Sequence, residues 1–310
     1  MSINFSRGRY APTNPCSIPL CKLDKNTAVF PNLFTQSTPD KCPQAYIARE
    51  ERVYAIGDIH GRQDLLEAML AKISDDIARF SDDRRPRVVF LGDYIDRGDD
   101  SRAVLQTLSG IFHIADRLKS ETNLQIDFLV GNHEVALLEF LKNPITSSAW
   151  LDWGGLQTLA SFGVSPTTAN AGARDFQRVR DQLAEKLEPY MGFLEGLPRT
   201  VVSGKVVFVH ASLDPACSLD AQPDEATLWG TPPSGRAMGM PGMRMVHGHF
   251  AASKPVSRPN RICVDTGAYY SGCLTAIRLD ESEAFLSVTS ADLSPISGLR
   301  QSGGGSAFTV

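Results

Sequence analysis

The sequence has no CxxC pair and only six cysteines in 310 residues, Cys16, Cys21, Cys42, Cys217, Cys263 and Cys273. They are too few and too scattered for a disulfide scaffold, so free thiols are expected. None is followed six positions later by the Arg that a cysteine-nucleophile phosphatase uses to hold phosphate; Lys22, Thr27, Ala48, Pro223, Tyr269 and Leu279 stand there. Excess positive charge is also missing. Lys and Arg total 31 against 35 Asp and Glu, a net charge of −4, so no global basic field draws the chain to nucleic acid or anionic lipid. There is no apolar run of about 18 residues that could span a bilayer, and the N-terminus lacks the positive-then-apolar pattern of a secretion signal. A cytoplasmic protein with neither nucleic acid nor membrane as partner is the expectation. No GxxxxGK[ST] loop occurs, and His133-Glu134 lacks the second His of a zinc-protease helix, which sets both of those chemistries aside.

With 42% hydrophobic and 21% charged residues the chain can bury a full core. Residues 1–50, rich in Pro, Thr, Asn and Ser, show neither strand nor helix periodicity and read as a loose N-terminal extension. From Arg52 onward short β-branched runs each end in Gly or a polar residue: RVYAIGD, RVVFLGD, IDFLVGN, KVVFVHA, MRMVHGH and RICVDTG. These read as buried strands. Leu66, Met69, Leu70, Ile73, Ile77 and Phe80 between the first two runs, and Val104, Leu105, Leu108, Ile111, Phe112, Ala115 and Leu118 between the next two, recur at helical spacing. Asp100 or Ser101 is available to cap the second helix. Strand, helix, strand, helix, strand predicts a parallel sheet in an α/β domain over 51–295. Residues 144–200 read as a helical cap-like insertion, LTAIRLD and AFLSVTS as later strands, and 296–310 as a flexible tail. Arg84, Arg85 and Arg87 lack interleaved aromatics and read as a solvated loop; Trp150 and Trp153 read as local core.

Three of the strands end in Gly57-Asp58-Ile59-His60-Gly61, Gly92-Asp93-Tyr94-Ile95-Asp96-Arg97-Gly98 and Gly131-Asn132-His133-Glu134, where open α/β sheets place their sites. Later strands end in His210, His247-Gly248-His249 and Asp265-Thr266-Gly267. Five of the six histidines therefore sit at strand ends, with His113 the exception. A lone Asp after Gly is usually a turn residue, but this recurrence gathers oxygen and imidazole donors suited to divalent first-row metals.

These motifs, with the later HA and GH and the stretch VDTGAYYSGCLTAIRL, resemble the metal-dependent phosphoprotein phosphatase superfamily of metallophosphoesterases, and more narrowly its bacterial serine/threonine phosphatases. The likeness spans about Val53 to Leu279. It implies a β-sandwich flanked by helices and two divalent metal ions, manganese first with iron or zinc as alternatives. Asp58, His60 and Asp93 would hold one ion, and Asp93 would bridge to a second held by Asn132, His210 and His249. A water or hydroxide shared by the ions would be the nucleophile. His133 is implied as the general acid, Asp96 as its orienting carboxylate, and Arg97 as the phosphate clamp.

Hydrolysis of phosphoserine or phosphothreonine in proteins is the activity the resemblance implies first. The same residues serve symmetric hydrolysis of diadenosine tetraphosphate or of another small phosphoester, and a metal-bound binding module is the third alternative. Where related bacterial members carry an Arg two residues after the Trp of Leu-Trp, this chain has Leu228-Trp229-Gly230-Thr231; Arg236 or Arg244 could substitute. Val130 stands where many members have Arg, Phe250 replaces a frequent Thr, and His247 competes with His249.

Overall fold

A computed structural model of the protein describes residues 47–166, 172–231 and 239–293. Most of the expected N-terminal extension, the 296–310 tail and Arg236 lie outside the described residues. The strand–helix alternation is present as β1 (Glu51–Ile56), α1 (Gln63–Ala78), β2 (Arg85–Phe90), α2 (Ser101–Thr122) and β3 (Gln125–Phe128). These three strands pair in parallel, with Ala55 opposite Val89 and Val89 opposite Asp127, because each helix carries the chain back to start the next strand at the same end. Next come α3 (Asn132–Lys142), a 3₁₀ turn at Ser148–Trp153, α4 (Gly155–Ser161), α5 (Ala173–Leu187) and α6 (Met191–Glu195). The remainder supplies β4 (Thr200–Ser203), β5 (Val206–Val209), α7 (Asp224–Thr227), β6 (Arg244–His247), β7 (Val256–Ser257), β8 (Arg261–Cys263), α8 (Ala268–Ser271), β9 (Cys273–Leu279) and β10 (Glu283–Thr289).

Two five-stranded sheets result, in the orders β10-β9-β1-β2-β3 and β4-β5-β6-β8-β7. Side-chain alternation decides what each face does. Val53, Ala55, Val89 and Ile277 of the first sheet meet Val206, Phe208, Val246 and Ile262 of the second in one buried layer. Their neighbours Tyr54, Ile56, Val88 and Phe90 point the other way and pack with Leu66, Met69 and Ile73 of α1 and Leu105 and Leu108 of α2. Each fully buried Val, Leu or Ile here contributes on the order of 1.5–3 kcal/mol. Leu159, Val179, Leu183 and Phe193 of the helical insertion join this second core, which ties the insertion to the body of the domain. No helix among the described residues is long and apolar enough to cross a membrane.

The arginine cluster differs from its sequence reading. Arg87 is buried in β2, donating to Asp127 Oδ2 at 2.7 Å and to Glu51 Oε2 at 3.3 Å. Arg85 also bonds Glu51, and Ser203 Oγ donates to Glu51 Oε2 at 2.6 Å. The carboxylates that make this possible come from other strands, so local sequence did not reveal them. Arg244 is likewise buried, bonded to Glu283 and to Ser257 Oγ, and is therefore not free to clamp a phosphate.

Candidate metal centre and active site

The loops after β1, β2, β3, β5 and β6 converge at one edge of the sandwich and bring Asp58, His60, Asp93, Asn132, His133, His210 and His249 together. All but His249 are almost wholly buried. Among the described residues, six non-glycine residues have positive φ: His60, Asp93, Asp96, Arg97, His249 and Asn123. Asn123 ends α2 in a left-handed cap; the other five are all at this edge. Such backbone costs on the order of 1–3 kcal/mol per residue and persists only where surrounding structure imposes it.

Asp93 lies at the centre, with a different oxygen facing each side. Its Oδ2 is 3.5 Å from His60 Nε2 and 4.0 Å from His133 Nε2, while its Oδ1 is 3.4 Å from His210 Nε2. Two groups of potential ligands follow, His60–Asp93–His133 and Asp93–His210–His249, each with its ligand atoms within 4.8 Å of one another. His60 Nδ1 donates to Ile95 O at 2.8 Å and His210 Nδ1 to Leu91 O at 2.9 Å. Those bonds turn each Nε2 lone pair inward.

On the second side Asn132 Oδ1, His210 Nε2 and His249 Nδ1 lie 2.9 to 3.2 Å apart. Burial lowers His210 and takes His249 down to about 4, so both rings are neutral near pH 7. Three acceptor atoms then share at most one proton, an arrangement that a cation satisfies. The carboxylates tell the same story. Burial, then Asp265 and Asp93, raise Asp58 well above the usual carboxylate range, and burial together with Asp93 pushes Asp265 up to about 6. Like charges buried side by side are an arrangement that divalent cations would balance.

Asp58 stands apart from both ligand groups; its oxygens accept from His249 N at 3.2 and 3.0 Å. That approach requires Gly248, where a Cβ would sit 1.9 Å from Asp58 Oδ1. His247 points elsewhere, with Nδ1 on Gly248 O at 2.9 Å, and belongs to neither ligand group.

His133 Nδ1 donates to Asp96 Oδ2 at 2.6 Å, which directs Nε2 toward Asp93. Burial opposes a proton on His133, but the Asp93 charge and the Asp96 hydrogen bond outweigh it and leave the ring above its ordinary pKa. Three further groups hold this pair. Trp150 Nε1 donates to Asp96 Oδ2 at 2.7 Å and Thr158 Oγ1 to Asp96 Oδ1 at 2.6 Å. Ser101 Oγ accepts from Asp96 N at 3.0 Å. Asp100 takes the cap position of α2 without a side-chain cap bond. Glu134 accepts from the backbone N–H of Asp93, Tyr94 and Gly131 at 2.8 to 2.9 Å, binding the β2 loop to the start of α3. Burial and Asp93 push it up to about 7 despite those donors.

Arg97 is exposed, with Nη1 2.9 Å from His60 Nε2 and its guanidinium 5.1 Å from the Tyr269 ring centre. It forms no salt bridge with Asp96 or Glu134. Thr231, not an arginine, stands at the second clamp position; beside it Gly230 (φ +72) lies under Phe250, whose Cζ would be 2.2 Å from a Cβ there. Trp150, Thr158, Ser101 and Asp265 carry supporting parts that sequence reasoning did not assign. Only Asp265 left a visible sign, as one more acidic residue at a strand end.

A family model described as calcineurin-like phosphoesterase matches residues 51–251. The symmetrical bis(5'-nucleosyl)-tetraphosphatase of Paracidovorax citrulli is 27% identical over 276 residues, covering 73% of this chain and 91% of that protein. The asymmetrical bis(5'-nucleosyl)-tetraphosphatase PrpE of Halalkalibacterium halodurans is 26% identical over 253 residues, covering 76% and 92%. A solved serine/threonine phosphatase of Saccharomyces cerevisiae is similar at 13% identity with a TM-score of 0.45, covering 80% and 84%. Six curated relatives all bear the name bis(5'-nucleosyl)-tetraphosphatase. The expectation of a protein serine/threonine phosphatase is corrected by this finding. The motifs behind that expectation are ones that could serve phosphoesters and phosphoanhydrides alike, so they did not separate the two substrate classes.

Proposed function

Because the chain belongs to the calcineurin-like phosphoesterase family, a family of metal-dependent hydrolases, we propose that it hydrolyses dinucleoside tetraphosphates of the diadenosine type, symmetrically, to two nucleoside diphosphates. The names of the six curated relatives support the substrate class. The observation that carries the chemistry is Asp93, with one oxygen toward His60 and His133 and the other toward His210.

In this reading Asp58, His60 and Asp93 hold one divalent ion, and Asp93, Asn132, His210 and His249 the other. When bound, the ions supply Lewis-acid polarisation of the phosphoryl group and an acidified water. The chain's own residues do the rest. Arg97 grips phosphate oxygens with a planar two-pronged donor. His133, whose proton Asp93 and Asp96 favour, donates it from Nε2 to the departing oxygen, and Asp96 holds the ring so that this nitrogen faces the site. A nucleoside diphosphate leaves more readily than an alkoxide, so the acid contributes less here than on a simple ester. The burial of His133 and Asp96 keeps bulk water from competing for the hydrogen bond between them.

Purified protein incubated with manganese and diadenosine tetraphosphate tests the proposal by product analysis. ADP as the sole nucleotide product is expected. ATP with AMP would place the cut asymmetrically, and metal binding without nucleotide release would overturn the activity.

A further inference from the structure

Exposed aromatic side chains are concentrated around the metal-site edge. Trp153, Trp229, Phe250, Tyr269 and Tyr270 are all at least a third exposed, and each lies on a loop or short helix beside the site. Two of them face one cleft of about 510 Å³, lined by Arg97, Trp153, Leu156, Gln157 and Tyr269. That volume suits one nucleoside rather than a whole dinucleotide. Tyr269 also connects the cleft to the centre, since its ring is 5.4 Å from that of His60 and lies under the Arg97 guanidinium. Trp153 is braced edge-on by Trp229 at 5.5 Å, which holds a large ring at 43% exposure where burial alone would not.

We propose that this cleft is the nucleobase subsite of the enzyme: a purine stacks on the aromatic wall of Tyr269 and Trp153 while the adjoining phosphates lie against Arg97. The assignment rests on the dinucleotide reading above and specifies where that substrate's base is held. Stacking suits the position because every base has an apolar π-face and pays little to leave water. Charge places the phosphates within it, because Arg97 and Asp152 are the two charged lining residues and Arg97 stands beside His60. The Gln157 side-chain amide, exposed in the wall, offers the donor and acceptor pair that an adenine edge accepts. No covalent step is involved.

The test compares equilibrium binding of ADP and inorganic pyrophosphate to the manganese-loaded protein, followed by tryptophan fluorescence and calorimetry. The two ligands share their phosphates and differ in the nucleoside. The wild type is expected to bind ADP about tenfold or more tightly than pyrophosphate. Tyr269→Leu and Trp153→Leu, both at exposed positions, should each remove most of that preference, and Trp153→Leu, whose ring does not contact Arg97, should leave pyrophosphate affinity unchanged. Equal wild-type affinity for the two ligands, or preference retained in both variants, would overturn the subsite. The diadenosine tetraphosphate assay judges the activity separately: cleavage with no ADP preference defeats the subsite alone, whereas ADP preference without cleavage keeps the subsite and defeats the activity.

Discussion

At its first two residues β1 holds Glu51 and Arg52, and just past its other end stand Asp58 and His60, so one strand joins two regions that treat buried charge differently. At the first end every charge has an opposite partner within the chain. Glu51 receives Arg85, Arg87 and Ser203, and Arg52 reaches Asp82 Oδ2 at 2.6 Å and Asp280 Oδ2 at 3.1 Å. At the second end Asp58, Asp93 and Asp265 are crowded together among histidines whose lone pairs converge, with Arg97 the nearby cation. The first arrangement lowers Glu51, through Ser203 and the two arginines, against the burial that would raise it. The second raises Asp58 and Asp265. Where the chain neutralises its own charge it gains stability; where it leaves charge unbalanced it makes room for a cation, and strained backbone gathers at that end.

The contrast can be broken most severely at Asp93. Asp93→Asn removes the carboxylate that faces both ligand groups, and diadenosine tetraphosphate hydrolysis should fall on the order of 10³-fold. Calorimetric titration with manganese should show weakened binding at both positions while circular dichroism stays native; near-normal turnover would remove Asp93 from the centre. His133→Asn should cost about 10²-fold in kcat, with manganese stoichiometry preserved. A smaller loss on a substrate with a better leaving group, measured alongside, would identify His133 as a proton donor rather than a metal ligand.

Next in size is the support behind Asp96. Trp150→Phe and Thr158→Val each delete one donor to its carboxylate and should lower kcat about tenfold with little change in KM. A rise in KM with unchanged kcat would show that these residues shape the cleft instead.

At the opposite end the effect should be on stability alone. Glu51→Gln should cost about 1–3 kcal/mol in urea unfolding at pH 7, with kcat unaltered. The sign in acid follows from the lowered pKa. Glu51's contribution is present above its unfolded value near 4.5 and is lost as pH falls through the lower folded value, so wild type and variant should converge in stability there. Divergence instead would place the stabilisation in packing rather than charge.

The residues at the candidate metal end were legible because each donor follows a strand and all but His210 adjoin a glycine, so the hydrophobic run and the turn signal mark their place. The same local logic gave β1, β2, β3 and the helices between them. Trp150 and Thr158 were not legible: packing of the insertion brings them to Asp96 from 54 and 62 residues away, and nothing beside them in sequence marks them as partners of a carboxylate. Burial of Arg87 was hidden for the same reason, since its partners stand on neighbouring strands. Substrate choice was misread because the motifs name the reaction centre, while the proposed base cleft is assembled from the 3₁₀ turn, the start of α4 and α8 as well as Arg97.

The ring of Phe250 over Gly230 has a consequence for laboratory evolution. Any side chain at 230 meets that ring within 2.2 Å, and the positive φ there strains it as well, so a clamp arginine would have to enter at Thr231 with Gly230 and Phe250 left as they are. Taken singly, Gly230→Ala is expected to fail in a screen, whereas Thr231→Arg is not. A library aimed at the missing clamp therefore gains nothing from varying 230 and should place its diversity at 231.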